Sequence, residues 1–253
     1  MFEKYINFIQ NQYFTLSQDR LPTELLIEED GNLSVYYAPF DYINTDAKIV
    51  ICGITPGFQQ AILALKEAGK QLRLGATLET AKLAAKNTAS FGGPMRSNLI
   101  RLLDYIGISQ KLDIVSCSEL FGSKSNLVHY TSALRYPVFK SHKNYSGTPS
   151  MVSKPILRKQ LENCLFPELK QLSSSTLFVP LGPKVEEALS LAVKAGFVNQ
   201  DKVLGGLPHP SGANAERIAY FLGDKPANEL SAKTNPIKID AAKEKVMAKV
   251  ACA

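Results

Sequence analysis

The sequence predicts an α/β protein: one domain, a three-layer α/β/α sandwich around a short, mostly parallel four-stranded central sheet. Three observations carry that prediction. Short, almost unbroken apolar runs recur, the strongest being KIVICGI at 48–54 and TLFVPL at 176–181, and such runs belong to strands buried on both faces. Each leads through a glycine-containing turn into a segment of helical periodicity, the alternation that builds a parallel sheet covered by helices. With 253 residues, 45% of them hydrophobic, the chain can fill a sizeable core.

Taken in order, Phe2, Tyr5, Ile6, Ile9 and Tyr13 recur at helical spacing and predict a docking helix over 2–14. Residues 33–37 (LSVYY) read as a short strand, followed by aromatic packing around Phe40, Asp41 and Tyr42. The first core strand, 48–54, ends in Gly53-Ile54-Thr55-Pro56-Gly57 and passes into a helix from Phe58. Strand, glycine loop and helix form the unit that holds a ligand at the carboxyl end of a parallel sheet. This loop lacks the lysine of a P-loop and the third glycine of a dinucleotide fingerprint. A helix-rich polar stretch, 72–89, leads to Ser90-Phe91-Gly92-Gly93-Pro94 and a helix over 97–107, with Asn98, Arg101 and Asp104 on its polar side. Residues 112–115 read as the second buried strand, carrying Ser116-Cys117-Ser118-Glu119 at its end. A helix over 156–169 follows, and Pro183 is a natural first residue for a helix continuing over 184–195. Val203 and Leu204 feed a fourth strand. The core runs over about 48–223, and the lysine- and alanine-rich tail ends in a helix over 239–250.

Twenty-nine basic against 23 acidic residues give a formal charge of +6, which suits a polyanionic partner. The four cysteines lie far apart with no C-x-x-C pair. That argues against a zinc or iron–sulfur site and for reduced thiols in a cytoplasmic protein. The N-terminus is amphipathic rather than a signal peptide, and no apolar run reaches transmembrane length. The expectation is a soluble monomer with no membrane partner and no zinc or iron–sulfur centre. The basic charge is concentrated. Residues 120–161 contain no carboxylate but hold Lys124, Arg135, Lys140, Lys143, Lys154, Arg158 and Lys159. Tyr130, Tyr136, Phe139 and Tyr145 are interleaved with them, as are His129 and His142. Cations neutralise phosphates and exposed aromatics stack on bases, so the stretch predicts DNA as partner, with Lys140 and Lys143 as contacts. The alternative is a solvated basic loop.

The most chemical stretch is 201–220, DKVLGGLPHPSGANAERIAY. Pro208 and Pro210 fix φ on both sides of His209 and remove two backbone donors, so the imidazole sits on a stiffened loop. Ser211 and Gly212 leave backbone N–H groups beside a helix start, which favours an anion. The plainer alternative is a stiff turn bearing a surface histidine.

These residues carry a resemblance. Gly53-Ile54-Thr55-Pro56-Gly57, together with His209-Pro210-Ser211-Gly212-Ala213-Asn214, resembles the two signature motifs of the uracil-DNA glycosylase superfamily. The Leu181-Gly182-Pro183-Lys184 segment and the Phe91 segment are similar too, and the match spans about 48–220. The resemblance implies an enzyme that flips a nucleotide out of DNA and hydrolyses its N-glycosidic bond without a cofactor. It implies that His209 donates to the departing base, and that Gly53, Ile54, Thr55, Pro56 and Gly57 hold the water and substrate. Phe91 would stack on the base, Ser211 and Gly212 would grip a phosphate, and Ala213, Asn214 and Arg217 would lie where the family inserts a wedge. Two departures stand out. Thr55 replaces the usual Asp or Asn, and a hydroxyl can orient a water but is no base near neutral pH. Ser116 stands for the amide that reads uracil, leaving room for a bulkier base such as a modified cytosine of phage DNA. Asp41, Asp104, Asp113 and Glu119 are the carboxylates that could replace the missing base.

The expected function is therefore a DNA glycosylase for a uracil-like or modified pyrimidine. A glycosylase-fold protein that binds modified or abasic DNA without turnover is the alternative. A nucleotide-binding protein unrelated to DNA comes third, and the basic stretch counts against it.

Overall fold

A computed structural model describes residues 1–17, 19–91 and 94–252. Its elements begin with α1 (Phe2–Asn11), β1 (Leu26–Asp30), β2 (Leu33–Tyr36), β3 (Ile49–Gly53), α2 (Phe58–Arg73), α3 (Leu78–Ala89), α4 (Pro94–Tyr105) and α5 (Ile108–Lys111). They continue with β4 (Val128–Ser132), β5 (Val138–Lys140), β6 (Lys143–Asn144), α6 (Pro155–Gln160) and, after a π-helical turn, α7 (Phe166–Leu169). Last come β7 (Leu177–Pro180), α8 (Pro183–Lys194), α9 (Ala215–Leu222) and α10 (Pro236–Cys252). The α/β class holds.

The predicted central sheet does not. The four-stranded sheet has the order β1-β2-β5-β6 and is antiparallel throughout. The other sheet has three strands, β4-β3-β7, with β3 and β7 parallel from Ile49↔Leu177 to Cys52↔Pro180. The expected fourth strand is reduced to one parallel bridge, Phe178↔Val203, closed by the Leu204 N–H on the Phe178 carbonyl at 2.8 Å. Residues 112–115 form no strand. Asp113 sits at φ 54, a left-handed backbone that breaks extension, and Val115 is 95% exposed. The second strand is β4 instead, whose polar-looking VHYT is buried.

The chain divides into two compact units: Met1–Ile43, Ile54–Ser90 and Tyr130–Glu168 form unit 1, and Asn44–Gly53, Phe91–His129 and Leu169–Ala253 form unit 2. In unit 1, α2 buries Ala61, Ile62, Leu65, Ala68, Gly69 and Leu72, the one-face spacing of an amphipathic helix. It packs on α1 so closely that a Cβ at Gly69 would stand 2.7 Å from the Ile9 carbonyl oxygen. Helix α1 buries Phe2, Tyr5 and Ile9 as expected. Tyr13, expected on the same face, lies beyond the helix and is 77% exposed, beneath the Arg73 guanidinium 4.6 Å from its ring centroid. In unit 2, every residue of β3 and of β7 is buried, as their unbroken apolar runs require. Pro183 opens α8 after Gly182.

Candidate active site

The polar face of α4 organises much of unit 2. Asn98 Nδ2 donates to the Pro210 carbonyl at 3.0 Å. One turn on, Arg101 bonds Asp224 at 2.6 Å. A further turn on, Asp104 accepts the Ser116 hydroxyl at 2.8 Å and the Cys117 N–H at 2.7 Å. Three polar residues at helical spacing thus hold three loops.

The first of those loops carries His209. Its Nδ1 accepts the Ser211 N–H at 3.3 Å, so a neutral ring carries its proton on Nε2 and presents that nitrogen as a donor. Burial holds the imidazole below its ordinary pKa of 6.5, because a low-dielectric surrounding disfavours the cation. Gly182, at φ 92, lies against the ring's root: a Cβ there would stand 3.5 Å from the His209 Cβ. Beyond the histidine, Asn214 Nδ2 donates to Ser211 Oγ at 3.2 Å and Arg217 Nη1 to Asn214 Oδ1 at 2.9 Å. Gly212 and Ala213 are exposed. A Cβ on Gly212 would meet nothing within 4 Å, so the fold itself does not require glycine there.

Phe91 is buried and sits at φ 46, a strained backbone for a bulky residue and one that persists mostly at functional positions. Its carbonyl accepts Arg96 Nε at 2.9 Å. Gly92 and Gly93 of that loop lie outside the described residues. Ser116 is not at a strand end, which corrects the expectation. It starts a 3₁₀ turn, where its Oγ accepts the Ser118 N–H at 3.1 Å while donating to Asp104. Glu119 accepts the Val115 and Ser116 N–H groups. Asp104 and Glu119 therefore serve as caps, and Asp113 is exposed.

Gly53 closes β3 in unit 2, and the rest of its loop belongs to unit 1. There the Ile54 carbonyl accepts the Leu134 N–H at 2.9 Å. The Thr55 hydroxyl donates to the Tyr136 carbonyl and accepts the Val138 N–H, both at 3.1 Å. The hydroxyl proton is thus committed to the backbone. Pro56 is buried, and the Gly57 N–H goes to Gln60 Oε1 at 3.0 Å. Asp41 has a different environment: its Oδ2 accepts the Tyr37 phenol at 2.7 Å and its Oδ1 the Tyr136 phenol at 2.8 Å. Burial, with Asp41 alongside, raises the pKa of both phenols, so both stay protonated as donors. The second strand ends at Ser132, directly before the 134–138 segment that the loop is bonded to. The sequence reading missed this because β4 looks polar.

The basic stretch separates into two sets. Arg135 pairs with the buried Glu168, Lys154 with Asp30, Arg158 with Glu162 and Lys159 with Glu28. Lys140 and Lys143 have no side-chain hydrogen bond or ion pair among the described residues. The interleaved Tyr130, Tyr136, Phe139 and Tyr145 are all buried, so they form core rather than the exposed stacking ladder expected. His129 is buried as well, its Nδ1 accepting the Asn44 N–H at 3.3 Å.

These features define a mixed α/β protein with a parallel sheet, a separate antiparallel sheet and a proline-flanked histidine loop. The chain belongs to the family of the uncharacterized protein YoxB of Bacillus subtilis (strain 168), to which it is 36% identical over 229 residues, 90% of each chain. No protein-family model matches it, and no solved structure does. Among the described residues, no cluster of His, Cys, Asp and Glu could hold a metal ion, and no helix is long and apolar enough to cross a membrane.

Proposed function

We propose that the protein is a DNA glycosylase that excises a flipped-out uracil-like or modified pyrimidine, including a bulky modified cytosine, and leaves an abasic site. The observation that carries this reading is the His209 ring, whose Nδ1 accepts the Ser211 N–H so that the neutral form, favoured by burial, offers Nε2–H as a donor. In the reaction the C1′–N1 bond breaks, its electron pair leaves with the base as an anion, water adds to C1′, and the proton that the water sheds neutralises the released base. A neutral donor aimed at the base oxygen stabilises the anion as it forms. Phe91 stacks on the base, Ser211 and Gly212 take a flanking phosphate, Ala213, Asn214 and Arg217 enter the duplex, and Lys140 and Lys143 neutralise backbone charge. A hydroxyl in place of the amide that would pair twice with uracil relaxes discrimination against other bases. All four cysteines are free thiols, consistent with the cytoplasm, where the protein acts as a monomer.

The test is single-turnover base release from duplexes carrying uracil or modified cytosines. His209→Ala should slow release by about 10²–10³ while DNA affinity stays nearly constant. Retained turnover in the mutant would overturn the assignment. The second reading, a binder of modified or abasic DNA without turnover, is favoured by the committed Thr55 hydroxyl. Tight binding of abasic DNA with no release of any base would establish it.

A further inference from the structure

We propose that unit 1 holds a second site, sharing Lys143 with the proposed DNA surface: a nucleotide pocket between β2, the β5–β6 hairpin and the start of α2. It rests on the proposed function only in taking nucleic acid as the source of the nucleotide, and its test needs no base release. The cavity is about 390 Å³, within the roughly 300–1,000 Å³ of small-ligand sites. Its walls include Tyr36, Phe58 and Phe139, with Tyr36 and Phe139 packed edge to face at 5.7 Å. Arg20, His142 and Lys143 also line it, and none of these makes a side-chain hydrogen bond or ion pair among the described residues. Most other cations nearby in the chain are paired with carboxylates, as Arg135, Lys154, Arg158 and Lys159 are. Of the two unpaired lysines in unit 1's basic stretch, Lys143 thus faces this cavity, joined there by Arg20.

The hairpin that delivers it is strained. Lys140 pairs with Lys143 across a two-residue turn in which Ser141 and His142 adopt φ 48 and 63, positions that such turns normally give to Asn and Gly. Two non-glycine residues in the left-handed region cost stability. The turn is held by the Ser141 N–H on the Asn32 carbonyl at 2.8 Å, and it brings His142 and Lys143 to the cavity.

Aromatic walls, unpaired cations and short polar groups together match a planar base joined to a phosphate. The base lies against Tyr36 and Phe58, and the phosphate meets Lys143 and Arg20. Asn144 Oδ1 accepts the Phe58 N–H at 2.9 Å, which leaves its Nδ2 as a donor toward the base edge. Asp19, also lining the cavity, repels phosphate and so turns the base's N–H edge toward itself. The shared chemistry is a nucleotide, either free or within a strand.

Two probes separate those sources: free thymidine monophosphate, and a fluorescent oligothymidylate about ten nucleotides long, within the span of a single-strand site. Wild-type protein should bind the oligomer, and the monophosphate should displace it. Phe58→Ala should weaken both ligands by about 5- to 150-fold, the usual range for one stacked base. Lys143→Ala should weaken both and lower the salt slope for the oligomer by about one. Binding of the monophosphate without the oligomer would assign the pocket to free nucleotide. The proposal is overturned if the monophosphate binds nowhere, or if Phe58→Ala leaves both affinities unchanged. Failure of base release alone leaves these readouts intact, so the two readings fail separately.

Discussion

Thr55→Val separates a catalytic from a structural role for the residue at the centre of the Gly53–Gly57 loop. The change keeps the side chain's shape and removes its hydroxyl. In the wild type that hydroxyl spans the Tyr136 carbonyl and the Val138 N–H at 3.1 Å each, and both residues are buried. Valine leaves both backbone groups without this partner. At about 0.5–1.5 kcal/mol net for each hydrogen bond, the loss is about 1–3 kcal/mol, and more where the stranded group stays dry. For a protein of this size that lowers Tm by roughly 2–4 °C per kcal/mol. Thr55→Ser retains the hydroxyl and forfeits one methyl, about 0.8 kcal/mol at most. Urea and thermal unfolding of the three proteins should rank them wild type, Ser, Val, with Ser close to wild type. Base release under single-turnover conditions should follow the same order, since Ser keeps the loop in place. A valine variant as stable as wild type, yet dead in base release, would refute the structural account and return Thr55 to the chemistry.

Three further expectations follow from the geometry. His209 has a folded pKa below its ordinary 6.5, so the unfolded chain takes up the extra proton first. Its contribution is complete above about pH 6.5 and is lost as pH falls through that value toward the folded pKa; His209→Gln should flatten this part of the stability–pH curve, and an unchanged slope would place the ring in solvent. Gly69→Ala drives a Cβ to 2.7 Å from the Ile9 carbonyl oxygen and should destabilise by about 1–3 kcal/mol in denaturant unfolding, as overpacking does; a neutral result would mean that α1 and α2 separate readily. Gly212→Ala meets nothing within 4 Å, so stability should move by less than about 0.5 kcal/mol. DNA affinity should nonetheless fall by about tenfold, because the added methyl crowds the approach of a phosphate to the backbone N–H and weakens one charge-assisted hydrogen bond, and unaltered binding would remove Gly212 from the phosphate site.

Much of the fold was legible because buried strands and amphipathic helices write their environment into the chain. KIVICGI and TLFVPL can only be doubly buried strands, and they became β3 and β7. Pro183 at the start of α8 and the α2 stripe were equally local signals. The rigid His209 loop was readable for the same reason, since two prolines constrain a histidine whatever surrounds it. Of the antiparallel sheet only β2 was anticipated, as the short strand at 33–37, although Gly31-Asn32 between β1 and β2 is a hairpin signal. Leu26–Asp30 carries three carboxylates, and a half-exposed strand does not stand out by hydrophobicity.

What only the tertiary structure decided was which polar groups are spent and which are available. Composition counts Lys154, Arg158 and Lys159 with Lys140 and Lys143, yet the first three meet carboxylates at 2.7 Å and the last two meet none among the described residues. Two of those carboxylates, Asp30 and Glu28, lie more than 120 positions from their lysines in the chain. Thr55 and Ser116 looked like site hydroxyls, but partners at Tyr136, Val138 and Asp104 engage them. Asp41 was one of four candidate carboxylates, and only folding set it apart, between two phenols. Local sequence fixes backbone preference and burial period, because both are properties of neighbouring residues. Whether a hydroxyl or a charge is free depends on partners brought together from distant parts of the chain, and that is settled only when the chain packs.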